Sequence, residues 1–249
     1  MALPAVSAVS GGADPFATLV PMPTDRSSAG SPTRVHLVRH GLVHNPDGIL
    51  YGRIPGFRLS DVGELMAQRV ADFFAGSTGD DPGRSDVALV TASPLERAQQ
   101  TATPIGAAFG LEVGTDADLI EAENHFEGLT VGRGKGSLLR PEHWPYLRNP
   151  FRPSWGEPYR AQVDRMARAI RVARAAAEGH DAVLVSHQLP IWVTRLNLEG
   201  RRLAHDPRRR QCTVASVTTL TFRGATLTGL DYTEPARDLL PSGHVVAGA

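Results

Sequence analysis

The sequence predicts an α/β fold of three layers, with helices covering both faces of a mostly parallel central sheet. Three observations carry that expectation. Short Val/Leu runs with no polar face recur at 35–38, 87–90 and 182–185, as strands buried on both sides require. Segments with a helical period alternate with them. Two β-type runs, 213–222 and 225–232, joined by Gly224, read as a terminal antiparallel pair.

The elements follow in order. After the first apolar run, residues 61–75 place Val62, Leu65, Met66, Val70, Phe73 and Phe74 at helical spacing, opened by Ser60 with Glu64 close behind. VALV at 87–90 leads into SPLERAQQTATPIGAAFG, where Ser93 reads as an N-cap, Pro94 as the first helical position and Gly110 as the stop. An Ala/Arg-rich helix spans 157–178 and halts at Gly179; AVLV at 182–185 follows, then a helix from Pro190. Residues 1–32, rich in Ala, Ser, Gly and Pro, are expected to form a flexible N-terminal tail. The domain proper is placed at 33–233 and a C-terminal tail at 234–249. Residues 129–156, with GRGKG and RPEHWPYLRNPFRPSW, fit neither period and read as either a lid or a mobile insertion.

Composition narrows the function. The chain has 249 residues with 26 basic and 26 acidic side chains, so no overall charge draws it to nucleic acid or anionic membrane. Preference for an anion must therefore come from locally placed cations. The one cysteine, Cys212, excludes an internal disulfide and a multi-thiolate zinc site, and is read as a packed small residue in a reducing compartment. No apolar run approaches the roughly 18 residues of a membrane span, and the N-terminus lacks signal-peptide character. The expectation is a soluble cytoplasmic protein.

Each of the three apolar runs ends on chemistry: Arg39, His40 and Gly41 after the first, Ser93 and then Arg97 after the second, Ser186 and His187 after the third. In an open parallel sheet, ligands bind beyond the carboxyl ends of the strands. Two arginines and two histidines there suit a compact dianion, because the planar guanidinium fork matches phosphate oxygens two at a time.

These segments resemble the histidine phosphatase superfamily, also called phosphoglycerate mutase-like. The matching residues are LVRHG at 37–41, Asn45, SPLERAQQTA at 93–102, Glu121 in LIEAENHFEG, and VSHQ at 185–188. The resemblance covers about residues 34–232. It implies a phosphohistidine mechanism on a three-layer α/β fold, with neither a metal nor an organic cofactor. It also implies roles: His40 as nucleophile, Arg39 and Arg97 as phosphate clamps, His187 as the second pocket histidine and Glu121 as proton donor. Asn45 and Arg53 match the segment that contacts phosphate or substrate, and the backbone N–H of Gln188 is expected to cap a phosphate oxygen.

The sequence departs from the family pattern in places. Asn45 follows RHG one residue early, Val43 stands where Thr or Ser is frequent, and Gln188 replaces a common glycine. Asn45 therefore reads equally as a turn residue before Pro46, and Arg53 equally as a solvated loop cation. The ENHFEG segment is shortened, which leaves Glu123 as a rival proton donor and brings His125 into consideration. His36, earlier on the strand than the Arg39-His40 pair, is read as structural. The run Arg208, Arg209, Arg210 is read as a solvated face. Lys135, Arg140, Trp144, Tyr146 and Arg148 in the insertion are candidates for reading the leaving group.

The expected activity is a histidine acid phosphatase-type hydrolysis of phosphate monoesters of a small metabolite. A phosphoglycerate-mutase-type phosphomutase and a non-catalytic phospho-ligand binder are the alternatives. No nucleic-acid or membrane partner is expected; a homo-oligomer stays open.

Overall fold

The computed structural model describes residues 31–76, 84–130, 141–147 and 155–240. The tail predicted at 1–32, most of the insertion at 129–156 and the end of the chain after Leu240 thus lie largely outside the described residues.

The first strand, β1 (Thr33–Arg39), is followed by α1 (Asp61–Ala75), β2 (Val87–Ala92), α2 (Glu96–Phe109), β3 (Val113–Thr115), α3 (Tyr159–Ala176), β4 (Asp181–Ser186), α4 (Gln188–Leu198), β5 (Val217–Arg223) and β6 (Thr226–Thr233). The sheet order is β3-β2-β4-β1-β5-β6. Its first four strands are parallel, and β5 and β6 are added antiparallel. The alternating pattern thus yields the three-layer, mostly parallel architecture it predicts.

The central strands have two apolar faces. Along β4, Ala182 and Leu184 join a core with Val163, Met166 and Ile170 of α3 and Ile191 of α4. Val183 and Val185 point the other way, onto Met66, Val70 and Phe74 of α1 and Ile105 of α2. A strand sandwiched in this manner has no use for polar alternation.

Helix boundaries follow local chemistry. The Ser60 side chain accepts the Gly63 N–H at 3.1 Å, satisfying an otherwise orphaned donor of α1. Gly76, at φ 76°, closes the helix in the left-handed region. In α2 the expected start is corrected: the helix begins at Glu96, and Ser93 and Pro94 precede it without capping. The Ser93 hydroxyl is instead within 2.7 Å of His187 Nε2. Helix α4 likewise starts two residues earlier than Pro190, directly behind His187.

Two further differences shape the pocket end of the sheet. Residues 213–216 do not extend β5 but form a turn in which Ala215 has φ 58°. There the Ala215 N–H donates to His40 O at 3.2 Å, and Arg39 N–H donates to Ser216 O at 3.0 Å. Hydrogen bonding that would extend the hairpin is thus spent on wrapping the end of β1. The fold also continues past residue 233: Ala236 is buried, and Leu239 and Leu240 pack on the α1-side core. Glu234 accepts from Thr213 Oγ1 and Tyr232 Oη, both at 2.8 Å.

Candidate active site

Register brings the chemistry together. Arg39 lies beside Ser186 across the β1/β4 ladder, and Ala92 beside Val185 across β2/β4. The next residues stay coupled, as His40 N–H donates to Ser186 O at 3.1 Å and Ser93 N–H to Val185 O at 2.9 Å. Three strand ends therefore deliver His40, Ser93 and His187 to one place. The rings of His40 and His187 stand with centroids 5.1 Å apart and planes tilted by 59°. Both histidines, Arg39 and Arg97 are fully buried, and Glu121 is 2% exposed.

His40 is oriented by its own turn. Its Nδ1 lies 2.8 Å from Gly41 O, so that nitrogen carries the proton and donates, leaving Nε2 as the free lone pair. Arg97 Nε donates toward Nε2 at 3.3 Å, a contact slightly longer than usual that a ligand oxygen can replace. The turn itself is pinned to α2: Gly41 N–H donates to Thr101 Oγ1 at 3.0 Å, and the Thr101 hydroxyl donates to Arg97 O at 2.7 Å. Burial, then the Arg97 and Arg39 charges, hold the His40 pKa well below its ordinary 6.5. Burial and the same arginines, with His40 itself, act likewise on His187. Both rings are consequently neutral.

The arginines are aimed by fixed acceptors. Arg39 Nη1 donates to Cys212 O at 2.7 Å, while its Nε and Nη2 have no protein partner. Arg97 Nη2 donates to Gly52 O at 2.6 Å, and its guanidinium lies 4.7 Å over the Tyr51 ring, leaving Nη1 unpartnered. Buried donors of native proteins are nearly always satisfied. Two guanidiniums with spare buried donors, beside an imidazole lone pair, have the donor set that suits a tetrahedral oxyanion. Cys212 contributes its carbonyl; its thiol, pushed up to about 11 by burial, is inert.

Glu121 completes the group. One carboxyl oxygen accepts the Ala122 N–H at 2.8 Å; the other is buried without a partner. Burial raises its pKa from the ordinary 4.5, against opposing pulls from that N–H and from Arg97 and Arg39. Glu123, by contrast, is 69% exposed and pairs with Arg53 at 3.0 Å. His125 is exposed and stacks on Tyr146 at 3.5 Å. Among the expected leaving-group readers, Trp144 is 61% exposed, and Lys135, Arg140 and Arg148 lie outside the described residues. A cleft opens next to Glu121, lined by Gly52, Trp155, Gln162 and Leu189 among others.

Several other expected residues sit nearby in supporting positions. Asn45 spends both ends of its amide on Ile49, donating to its O at 2.8 Å and accepting its N–H at 3.0 Å, as a turn residue does. Arg53 donates to Glu121 O at 2.7 Å and to Glu123 and Glu157 at 3.0 and 3.1 Å, so it braces the Glu121 segment from behind. Gln188 opens α4, and its Oε1 accepts from Arg210 Nη1 at 3.2 Å. Arg210 and Ser93 are the residues that reading the sequence misassigned, one as a solvated cation and one as a cap. Nothing in the run RRRQ distinguishes its third arginine from the first two. His36 is structural as expected, 2.9 Å from Thr219 Oγ1 and edge-on to Phe74.

Fold and site together define a class of parallel-sheet protein in which an imidazole at a strand end faces arginines with spare donors. The chain belongs to the histidine phosphatase superfamily (branch 1), whose family model matches residues 35–234. The Mycobacterium tuberculosis protein Rv0525 is 54% identical over 204 residues, covering 82% of this chain and 97% of that protein. The bifunctional protein Rv2228c of the same species is 31% identical over 175 residues, 69% of this chain and 46% of that one. Among solved structures, phosphoserine phosphatase from Entamoeba histolytica, in complex with 3-phosphoglyceric acid, superposes with a TM-score of 0.63 at 22% identity, over 82% of this chain and 99% of that one. The mycobacterial glucosyl-3-phosphoglycerate phosphatase Rv2419c superposes with a TM-score of 0.59 at 23% identity, over 81% and 97%. Among the described residues, no helix is long and apolar enough to cross a membrane.

Proposed function

We propose that this protein is a phosphatase that hydrolyses phosphate monoesters of a small metabolite through a phosphohistidine at His40. The observation that carries the reading is the tautomer: Nδ1 committed to Gly41 O at 2.8 Å leaves Nε2 unprotonated among the spare donors of Arg39 and Arg97. In the first step the Nε2 lone pair attacks phosphorus, the P–O bond to the leaving group breaks, and Arg39, Arg97 and His187 hold the equatorial oxygens. Those groups are already in place, so little reorganisation accompanies the charge movement. Glu121, whose carboxyl burial shifts toward its protonated form, gives its proton to the departing alkoxide. In the second step Glu121 takes a proton from water, whose oxygen attacks the phosphohistidine and releases phosphate and free His40. Neither step calls for a metal or an organic cofactor.

His40→Ala tests it. Brief exposure of the native protein to a radiolabelled phosphate ester and acid-free quenching should trap an acid-labile phosphoenzyme. The variant should show none, and its phosphate release should fall by at least about 10³-fold. A labelled variant, or one retaining turnover, would remove His40 from the role. Interconversion of phosphoglycerate isomers without phosphate release would make the protein a mutase instead.

A further inference from the structure

We infer that Arg210 recognises a second anionic group on the substrate, so that the preferred phosphate monoester carries a carboxylate or a further phosphate. This rests on the phosphatase reading and specifies its substrate class.

Three arginines bordering the pocket have no carboxylate partner among the described residues: Arg39, Arg97 and Arg210. Arg53 and Arg165 differ, both being bound to Glu157 at 2.9 to 3.1 Å. The transferring phosphate monoester is a dianion near neutral pH, and its charge is matched by Arg39 and Arg97. Arg210 itself is bonded only to neutral groups, His205 and Gln188, so among the described residues its charge has no direct partner.

That charge is held by neutral acceptors. His205 Nδ1 lies 2.6 Å from Leu203 O, so Nδ1 donates and the lone pair of Nε2 receives the Arg210 Nε–H at 2.9 Å. Gln188 Oε1 receives Nη1 at 3.2 Å, and the Gln188 amide reaches back to Cys212 O at 3.4 Å. The same carbonyl accepts from Arg39. Arg210 is thereby fixed relative to the first phosphate clamp through two shared links, and Nη2 keeps no partner among the described residues.

The nearby carboxylates are otherwise engaged: Asp206 with Arg208 at 3.1 Å and Glu199 with Arg195 and Arg201 at 2.7 and 2.8 Å. A half-buried guanidinium positioned by two side chains but left without a counter-charge is costly unless a ligand completes it. Placed on the α4 side of the pocket and within electrostatic reach of Glu121 and Arg39, it meets the part of a substrate that leaves with the alcohol. The other cations of the local run, Arg201, Arg202, Arg208 and Arg209, are exposed, and Arg201 and Arg208 already have carboxylate partners.

The test compares matched esters on the native protein and on Arg210→Gln and Arg210→Lys. One pair is 3-phosphoglycerate against glycerol 3-phosphate, which differ by a carboxylate. The other is glucose 1,6-bisphosphate against glucose 6-phosphate, which differ by a phosphate. The native protein should favour the more anionic member of at least one pair by about 30-fold in kcat/KM. Arg210→Gln should bring that ratio close to one, chiefly through KM, and Arg210→Lys should restore part of it. The pair that responds identifies the anion. Equal ratios in native protein and Arg210→Gln would overturn the assignment while leaving the phosphatase reading intact. No phosphate release from any ester by the native protein would overturn both. Unchanged thermal melting of the variants separates a lost contact from a lost fold.

Discussion

At the scale of the residue, Glu121 and His40 make opposite demands on pH. The proposed hydrolysis needs the His40 ring unprotonated and the Glu121 carboxyl protonated. Burial and two arginines move the first pKa below 6.5, and burial moves the second above 4.5. As pH falls, activity is lost only when His40 gains a proton, well below the ordinary histidine range. As pH rises, it is lost when Glu121 gives its proton up, above the ordinary carboxylate range. The profile of kcat/KM should therefore be bell-shaped on the acidic side, and Glu121→Gln should remove its alkaline limb. The same variant should slow alkyl phosphates by about 10²–10⁴-fold and aryl phosphates far less, because phenolates leave without help. Equal losses for both ester types would take the proton from another group. The convergence of Arg39, His40 and His187 at neighbouring strand ends was legible from the sequence. The support given by Ser93 and Arg53 was not, because their partners lie 94 and 68 to 104 positions away, and that of Arg210 was not, because its neighbours Arg208 and Arg209 look the same in sequence.

At the scale of the element, the pocket depends on how closely α1 approaches the turn after β1. A Cβ on Gly63 would run into Leu42 O, and one on Gly41 would stand 2.5 Å from Gly63 O. The two backbones touch where His40 must be held. Gly63→Ala should consequently lower stability by about 1–3 kcal/mol and Tm by roughly 2–12 °C, with kcat reduced even at temperatures where the variant is folded. Full native kcat in a folded Gly63→Ala protein would show that the turn tolerates displacement. Helix α1 and strands β1, β2 and β4 could be read in advance because their apolar periods are long or unbroken. Strand β3 could not, since its three residues Val-Gly-Thr carry no period and owe their conformation to pairing with β2. The start of α2 was misplaced for a related reason: Ser-Pro has the chemistry of a helix entry, and only the tertiary pull of His187 on the serine overrides it.

At the scale of the whole molecule, the site is not confined to the part of the chain that carries its motifs. Residues 234–240 lie beyond the last strand, yet Glu234 braces Thr213 and Tyr232, Leu239 and Leu240 pack beside α1, and Asp238 pairs with Arg69 at 3.1 Å. A chain ending at Thr233 should lose about 2–4 kcal/mol of stability and bind phosphate esters more weakly, because the 212–216 turn that supports Arg39 is loosened. A chain ending at Leu240 should keep both properties. An equally stable and active shorter chain would show that the strands alone suffice. The hydrogen bond from Arg39 to Cys212 spans 173 positions, and loop closure on that scale comes late in folding. During synthesis, the ribosome must therefore deliver nearly the entire polypeptide before the first guanidinium is steadied. Nascent chains shorter than about that length should be catalytically silent, however well their opening strand and helix have formed.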